Sequence, residues 1–395
     1  MPLVKVLTLN TWGDRLEMHS RAADIAEGIL QLEPSIVCMQ EVLSPAVKDT
    51  LRATLSGQYI MVSSELHHPS PYPLLAYLPS GVFAVFAAAC AAVSGAGARE
   101  WLTWPACVCA VLLGTALSPH GVFLLIRVLV LRTMSPDMMG LTVLVKRRCR
   151  DTAEAGWLSA DKITAHPFAH DLRAYPQPGL RQWPVYWVSH CFIRPGFMLV
   201  RCTGGLRECE DIWVATAHLV ISARGTSENP RRIEQVTKLN DALVSLVEVH
   251  QATAYGSTDK LLPSDVNLQV EPETSASPSA ASLPSSPMLV VGGDFNAPDN
   301  SPEIDYMCKA GFLDCASSAP FLTWDQALNP YTQFDLAEPN ARMDYVFMSG
   351  QRTDDPRQAV DTTLVSTARA FDGDTAPIVS DHFGVLATIR VESAV

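Results

Sequence analysis

The sequence predicts an α/β fold on three observations. The chain opens as β-α-β. Short apolar runs recur along its length, several of them closing on a polar residue. A long amphipathic segment, Arg231 to Val249, lies between two of those runs.

Lys5 to Asn10 reads as a strand that turns out at Thr11-Trp12-Gly13. Ser20 is placed to cap the helix that follows. Ala22, Ile25, Ile29 and Leu32 fall at helical spacing, and Pro34 stops the run. Ser35 to Met39 and Tyr59 to Ser63 are further strands, as are Gly140 to Lys146, Met198 to Arg201 and Ile212 to Ala217. The helix Arg231 to Val249 places Ile233, Val236, Leu239, Leu243, Leu246 and Val247 on one face. Met288 to Val291, Asp344 to Met348 and Gly384 to Val391 complete the strands. The whole chain, 1–395, reads as one catalytic domain, because candidate catalytic residues lie on both sides of a flexible Ser/Pro-rich loop at 255–287.

The net charge of -12, from 29 Lys+Arg against 41 Asp+Glu, disfavours general nucleic-acid binding, since neutralising phosphates takes Lys and Arg. With 48% hydrophobic residues the chain is too apolar for disorder throughout. Its ten cysteines form no CxxC pair, which points to free thiols facing a reducing compartment. The start of the chain lacks the basic and long apolar regions of a signal peptide.

Only 18% of residues are charged, and their distribution is uneven. Pro69 to Ala98 contains no Asp, Glu, Lys or Arg, and neither does Trp101 to Ile126. A bilayer span needs about 20 mostly apolar residues. Residues 74–134 are therefore expected to form an inserted hydrophobic helical hairpin, membrane-associated, either spanning the bilayer or dipping into one leaflet. Lys146, Arg147, Arg148 and Arg150 follow it, so the catalytic domain is expected to face the cytoplasm. Two buried helices in a soluble core are the other reading, but uncharged runs of this length are rare there.

Polar residues gather at the strand ends. They are Asn10, Glu41, His218, Asp294 with Asn296, Asp344, and Asp381-His382. Burying acids and amides is costly unless they are paired or hold a cation. Mg²⁺ takes hard oxygen ligands, which Glu41, Asp294, Asp381, Asn10 and Asn296 supply. His218 and His382 supply proton transfer or hydrogen bonds to phosphate. Together they suit metal-assisted attack of water on a phosphodiester. Each alone has an ordinary reading. Asn10 suits a turn, Glu41 a helix cap near Ser44-Pro45, Asp294 an Asx turn and His218 a structural histidine, while Asp344 and Asp381 suit surface acids.

Read in order, LTLNTWG (7–13), CMQEV (38–42), TAHL (216–219), GGDFNAPD (292–299), RMDYVF (342–347) and SDHFGV (380–385) resemble the endonuclease/exonuclease/phosphatase superfamily, which includes magnesium-dependent neutral sphingomyelinases. The resemblance implies a DNase I-like four-layer sandwich, two mixed β-sheets flanked by helices. It implies Glu41 as the main Mg²⁺ ligand with Asn10 beside it, and Asp294 orienting the attacking water. His382 would be the general base held by Asp344, with Asp381 in the metal or proton network. His218 would stabilise transition-state charge, and Asn296 would bind the phosphate or the metal. Thr323-Trp324-Asp325 with Asn329-Pro330 looks like the sphingomyelinase branch. Where that branch often carries Lys-Gly, this chain has Arg194-Pro195-Gly196, so Arg194 is expected near the phosphate. The implied activity is phospholipase C-type hydrolysis of a phosphosphingolipid, sphingomyelin or an inositol phosphosphingolipid, to ceramide and a phosphorylated headgroup. The alternative is a phosphatase or nuclease of the same superfamily acting on a soluble phosphate ester or nucleic acid.

Overall fold

A computed structural model describes residues 3–13, 18–64, 140–147, 159–167, 195–206, 209–221, 230–254, 287–319, 321–334, 340–349 and 361–392. The expected hairpin at 74–134, the loop at 255–287 except its last residue, and Arg194 lie outside the described residues. Among the described residues no helix is long and apolar enough to cross a membrane.

The elements run β1 (Leu3–Asn10), α1 (Met18–Leu32), β2 (Ile36–Gln40), α2 (Pro45–Leu55), β3 (Tyr59–Ser63), β4 (Thr142–Lys146), β5 (Ser159–Pro167), β6 (Gly196–Leu206) and β7 (Cys209–His218). Then come α3 (Pro230–Ala254), β8 (Met288–Asp294), α4 (Pro302–Lys309), β9 (Phe312–Asp314), β10 (Asp344–Ser349), β11 (Asp361–Ala370) and β12 (Gly384–Glu392). One six-stranded sheet has the order β11-β12-β1-β2-β4-β3, the other β5-β6-β7-β8-β10-β9. Each is mixed. The central pairs β1–β2 and β7–β8 are parallel, and the flanking pairs are antiparallel.

Strand alternation divides the apolar residues between two faces. Val4, Val6, Ile36 and Cys38 of the first sheet face Val200, Val214, Val290 and Val346 of the second in a core between the sheets. The alternate residues Leu7, Leu9, Val37 and Met39 pack outward under α1 and α2, against Ile25, Ile29, Val47 and Leu51. On the far side Leu199, Trp213, Val291 and Phe347 pack under α3 and α4, against Leu239, Leu243 and Met307. The result is helix, sheet, sheet, helix. Strands buried on both faces explain why these segments read as nearly continuous apolar runs. Helix α1 begins at Met18, two residues before the expected cap at Ser20. A helix starts where its first N–H groups find partners, which side-chain identity alone does not reveal.

The inward-facing positions change character along each central strand. On β1 they run Val4, Val6, Thr8, Asn10, and on β7 Ile212, Val214, Thr216, His218. The parallel register aligns Asn10 with Gln40 and His218 with Asp294. Antiparallel β10 starts at Asp344 opposite Asp294. Antiparallel β12 begins just after His382 and runs back along β1. One edge of the sandwich therefore collects polar side chains from both sheets, above an apolar interior.

Candidate active site

Asn10, Glu41, His218, Asp294, Asn296, Asp344, Asp381 and His382 all lie at that edge, brought from segments up to 372 residues apart, as shown by Asn10 and His382.. Asp294 is the hub. Its Oδ2 accepts a hydrogen bond from Asn10 Nδ2 at 2.9 Å. The same oxygen lies 3.7 Å from His218 Nε2 and 3.9 Å from His382 Nε2. Its Oδ1 accepts the N–H of Asn296 at 2.8 Å. The Asx turn and the site role thus coexist, one on each oxygen.

Glu41 meets this hub from the other sheet. Its Oε1 accepts from Asn10 Nδ2 at 3.1 Å and lies 3.8 Å from His218 Nε2. Its Oε2 accepts the Gly13 N–H at 2.8 Å. Glu41 takes a left-handed backbone, φ 61°, a conformation uncommon outside glycine. That reversal turns its carboxylate back toward β1 instead of capping α2. Gly13 cannot carry a side chain, because a Cβ there would stand 2.1 Å from the Glu41 carbonyl oxygen.

His382 Nδ1 is 2.8 Å from Asp344 Oδ2, with Asp344 fully buried. Since an ionised carboxylate only accepts, Nδ1 is the donor there, and Nε2 is aimed at Asp294. Burial opposes a charge on His382, but the carboxylates of Asp344, Asp294 and Asp381 outweigh it and hold the imidazole well above the ordinary histidine range. The Trp324 ring meets His382 edge-on at 5.1 Å between centroids. Asp344 and Asp381 are buried, not surface acids. His218 is also buried, and among the described residues its Nδ1 has no hydrogen-bond partner.

The donor set can be tested against a divalent cation. Among the described residues the ion-pair partners of Glu41 and Asp294 are histidines and their other partners are neutral N–H donors, which is costly for two largely buried carboxylates unless a cation joins them. Asp294, Asp344 and His382 also present ligating atoms within 4.8 Å of one another. Asp344, however, is engaged by the His382 ring, which leaves Glu41 and Asp294 as the pair that fits a hard cation. Asn10 stands beside both carboxylates. Its Oδ1 accepts the Trp12 N–H at 2.9 Å and its Nδ2 faces the two carboxylates, so in this conformation it holds the acids through a donor. Asn296 donates its Nδ2 to the Leu219 carbonyl at 2.9 Å, leaving Oδ1 as the atom it offers.

Several residues that brace the site carried no role in the sequence reading. Ser380 Oγ is 2.6 Å from the Asn10 carbonyl and 3.2 Å from Asp381 Oδ1, and Asn329 Nδ2 holds the Ser380 carbonyl. Thr323 Oγ1 accepts the N–H groups of Met343 and Asp344. All three residues stand inside the motifs that carry the resemblance, SDHFGV, Thr323-Trp324-Asp325 and Asn329-Pro330. Arg21 donates to the carbonyls of Thr11, Trp12 and Val379, tying the β1 exit to the His382 loop. Arg232 binds Glu303 and the Asn296 carbonyl. An arginine at the start of a helix reads as solvated, so neither was visible in advance.

Residues 244–382 match the Endonuclease/Exonuclease/phosphatase family. No curated protein matches the chain. Among solved structures, D. rerio TDP2 complexed with single strand DNA product aligns at a TM-score of 0.50 and 13% identity, over 98% of this chain and 99% of that one. The human Nocturnin catalytic domain with bound sulfate aligns at 0.49 and 14%, over 99% and 94%. Beta toxin from Staphylococcus aureus aligns at 0.49 and 12%, over 99% and 100%. At these identities the likeness to TDP2 is one of fold.

Proposed function

We propose that this chain, residues 244–382 of which match the Endonuclease/Exonuclease/phosphatase family, is a Mg²⁺-dependent phosphodiesterase that releases ceramide from a phosphosphingolipid. The observation that carries the hydrolase reading is the convergence of Glu41 and Asp294 with the His382–Asp344 pair at one edge of the sandwich. The lipid substrate is supported by the LNTWG, Thr323-Trp324-Asp325 and SDHFG stretches and by the uncharged runs between 69 and 126.

Asp344 holds the His382 ring so that Nε2 faces the cleft, where it takes a proton from water. Asp294, 3.9 Å from that nitrogen, accepts the other hydrogen of the same water and orients it. A water O–P bond forms, the bond from phosphorus to the ceramide oxygen breaks, and that oxygen takes up a proton from solvent while His382 returns the proton it took to solvent. His218 donates from Nε2 to a non-bridging oxygen as charge builds. Glu41 and Asp294 would hold Mg²⁺, which supplies phosphoryl polarisation and charge neutralisation. Arg194, Asn296 and Asp381 are assigned to phosphate contact and to the proton network. The insert at 74–134 would hold the site at a bilayer, with the domain on the cytoplasmic side.

The test is ceramide release from vesicles carrying labelled phosphosphingolipids of defined headgroup. Release that depends on Mg²⁺ is expected, and deletion of residues 74–134 should move the protein from the membrane to the soluble fraction. No release from any phosphosphingolipid, with turnover of a nucleotide or single-stranded DNA instead, would transfer the same site to the soluble-ester or nucleic-acid reading. The fold shared with TDP2 is compatible with that outcome, and the net charge of -12 opposes it.

A further inference from the structure

Directly beneath the site the inward positions of the two sheets are Thr8, Gln40, Thr216 and Gly292. Each stands one or two residues before Asn10, Glu41, His218 or Asp294. Thr8, Gln40 and Thr216 are fully buried. Gln40 Nε2 is 3.2 Å from Thr8 Oγ1 on its own sheet and 3.1 Å from Thr216 Oγ1 on the opposite one. It also lies 3.2 Å from the Cys38 carbonyl. The sheets are pressed together at this level. A Cβ added at Gly292 would stand 2.8 Å from both Cβ and Sγ of Cys38.

Below this layer the contact between sheets is mostly apolar, with one weak polar contact in which the Cys38 thiol donates to the Ala215 carbonyl at 3.8 Å. Apolar burial is non-directional, so it resists separation far better than it resists sliding. A hydrogen bond across the gap fixes both distance and offset. Gln40 Oε1 is buried without a hydrogen-bond partner among the described residues, and an apolar side chain of similar shape would avoid that cost. Stability alone therefore does not account for an amide at this position.

We propose that Gln40 is a positioning residue. Together with the Asn10–Asp294 bond above it, its bond to Thr216 sets the offset of the two sheets at which Glu41 from one and Asp294 from the other address a common cation, with Asn10 and His218 beside them. The inference rests on the metal-hydrolase reading above and adds to it an element beneath the site that holds its two halves in register.

The experiment uses the full chain and Mn²⁺ as the probe, with binding followed by calorimetric titration. Gln40→Met removes the amide at similar volume. Thr216→Val removes only its acceptor, and Thr216→Ser keeps the hydroxyl. Val214→Ala loosens the apolar layer below without touching the bond. Gln40→Met and Thr216→Val should each weaken Mn²⁺ binding by about tenfold and lower kcat more than they change KM. Thr216→Ser and Val214→Ala should bind like the unaltered protein. Wild-type affinity in Gln40→Met and Thr216→Val, or an equal loss in Val214→Ala, overturns the proposal. Should Gln40→Met fail to fold, the two Thr216 variants decide it. Failure of the unaltered protein to bind Mn²⁺ would remove the metal reading itself, an outcome distinct from normal binding in the variants.

Discussion

Replacing His382 with glutamine is expected to lower kcat by about 10²- to 10⁴-fold, the usual contribution of a positioned general base, while the protein stays folded. The expectation follows from the tautomer. Asp344 is fully buried and accepts from Nδ1 at 2.8 Å, so the lone pair of the neutral ring is on Nε2, facing Asp294. Glutamine fills much of the space beside Trp324 but takes up no proton. Asp344→Asn should be nearly as damaging, because an amide can donate to Nδ1 and so favour the tautomer that puts the hydrogen on Nε2. The rate of the unaltered enzyme should rise with pH as His382 loses its proton, and that limb should vanish in His382→Gln. Initial rates across pH, with circular dichroism as the check on folding, decide the matter. A variant that keeps both its rate and its alkaline limb would remove His382 from the mechanism.

Asp294→Asn should have the largest effect of any single change. One carboxylate oxygen of Asp294 accepts from Asn10 and lies within 3.9 Å of both histidines. The substitution thus removes a metal ligand, the group that orients the water and the charge facing two imidazoles. A Lewis-acid contribution of several kcal/mol, at about 1.4 kcal/mol per decade, puts the loss in turnover on the order of 10³-fold or more. Glu41→Gln tests the other half of the cation pair. It should reduce divalent-metal affinity strongly, while leaving the His382–Asp344 pair intact. Metal-dependent thermal stabilisation of the two variants, measured beside turnover, separates the contributions. If Asp294→Asn binds metal and turns over like the unaltered protein, the assignment of the hub fails.

The central strands were readable because each is buried on both faces, which leaves an apolar run of the right length in the sequence. The strands that escaped notice, β5, β9 and β11, are all at or next to the limits of the sheets. Such strands are held by main-chain pairing with one neighbour and carry mixed side chains, as in SADKITAHP and DTTLVSTARA. Helix α2 went unassigned beyond its Ser44-Pro45 start, and α4 has only eight residues, too few for a clear period. Within the site the residue types and their places at strand ends were legible. Their division of labour was less so. Nothing local tells that the Asn10 amide nitrogen, and not its oxygen, faces the acids.

Alone, the sequence determined which acids, amides and histidines stand at either end of apolar strands, because strand periodicity and burial leave a local trace. Tertiary structure alone decided that Asn10 and Glu41 on one sheet meet His218 and Asp294 on the other, and that Gln40 and Thr216 join the sheets beneath them. Those distances depend on how two sheets twist, slide and press together. No window of neighbouring residues records that, since the groups concerned become neighbours only when the sandwich closes.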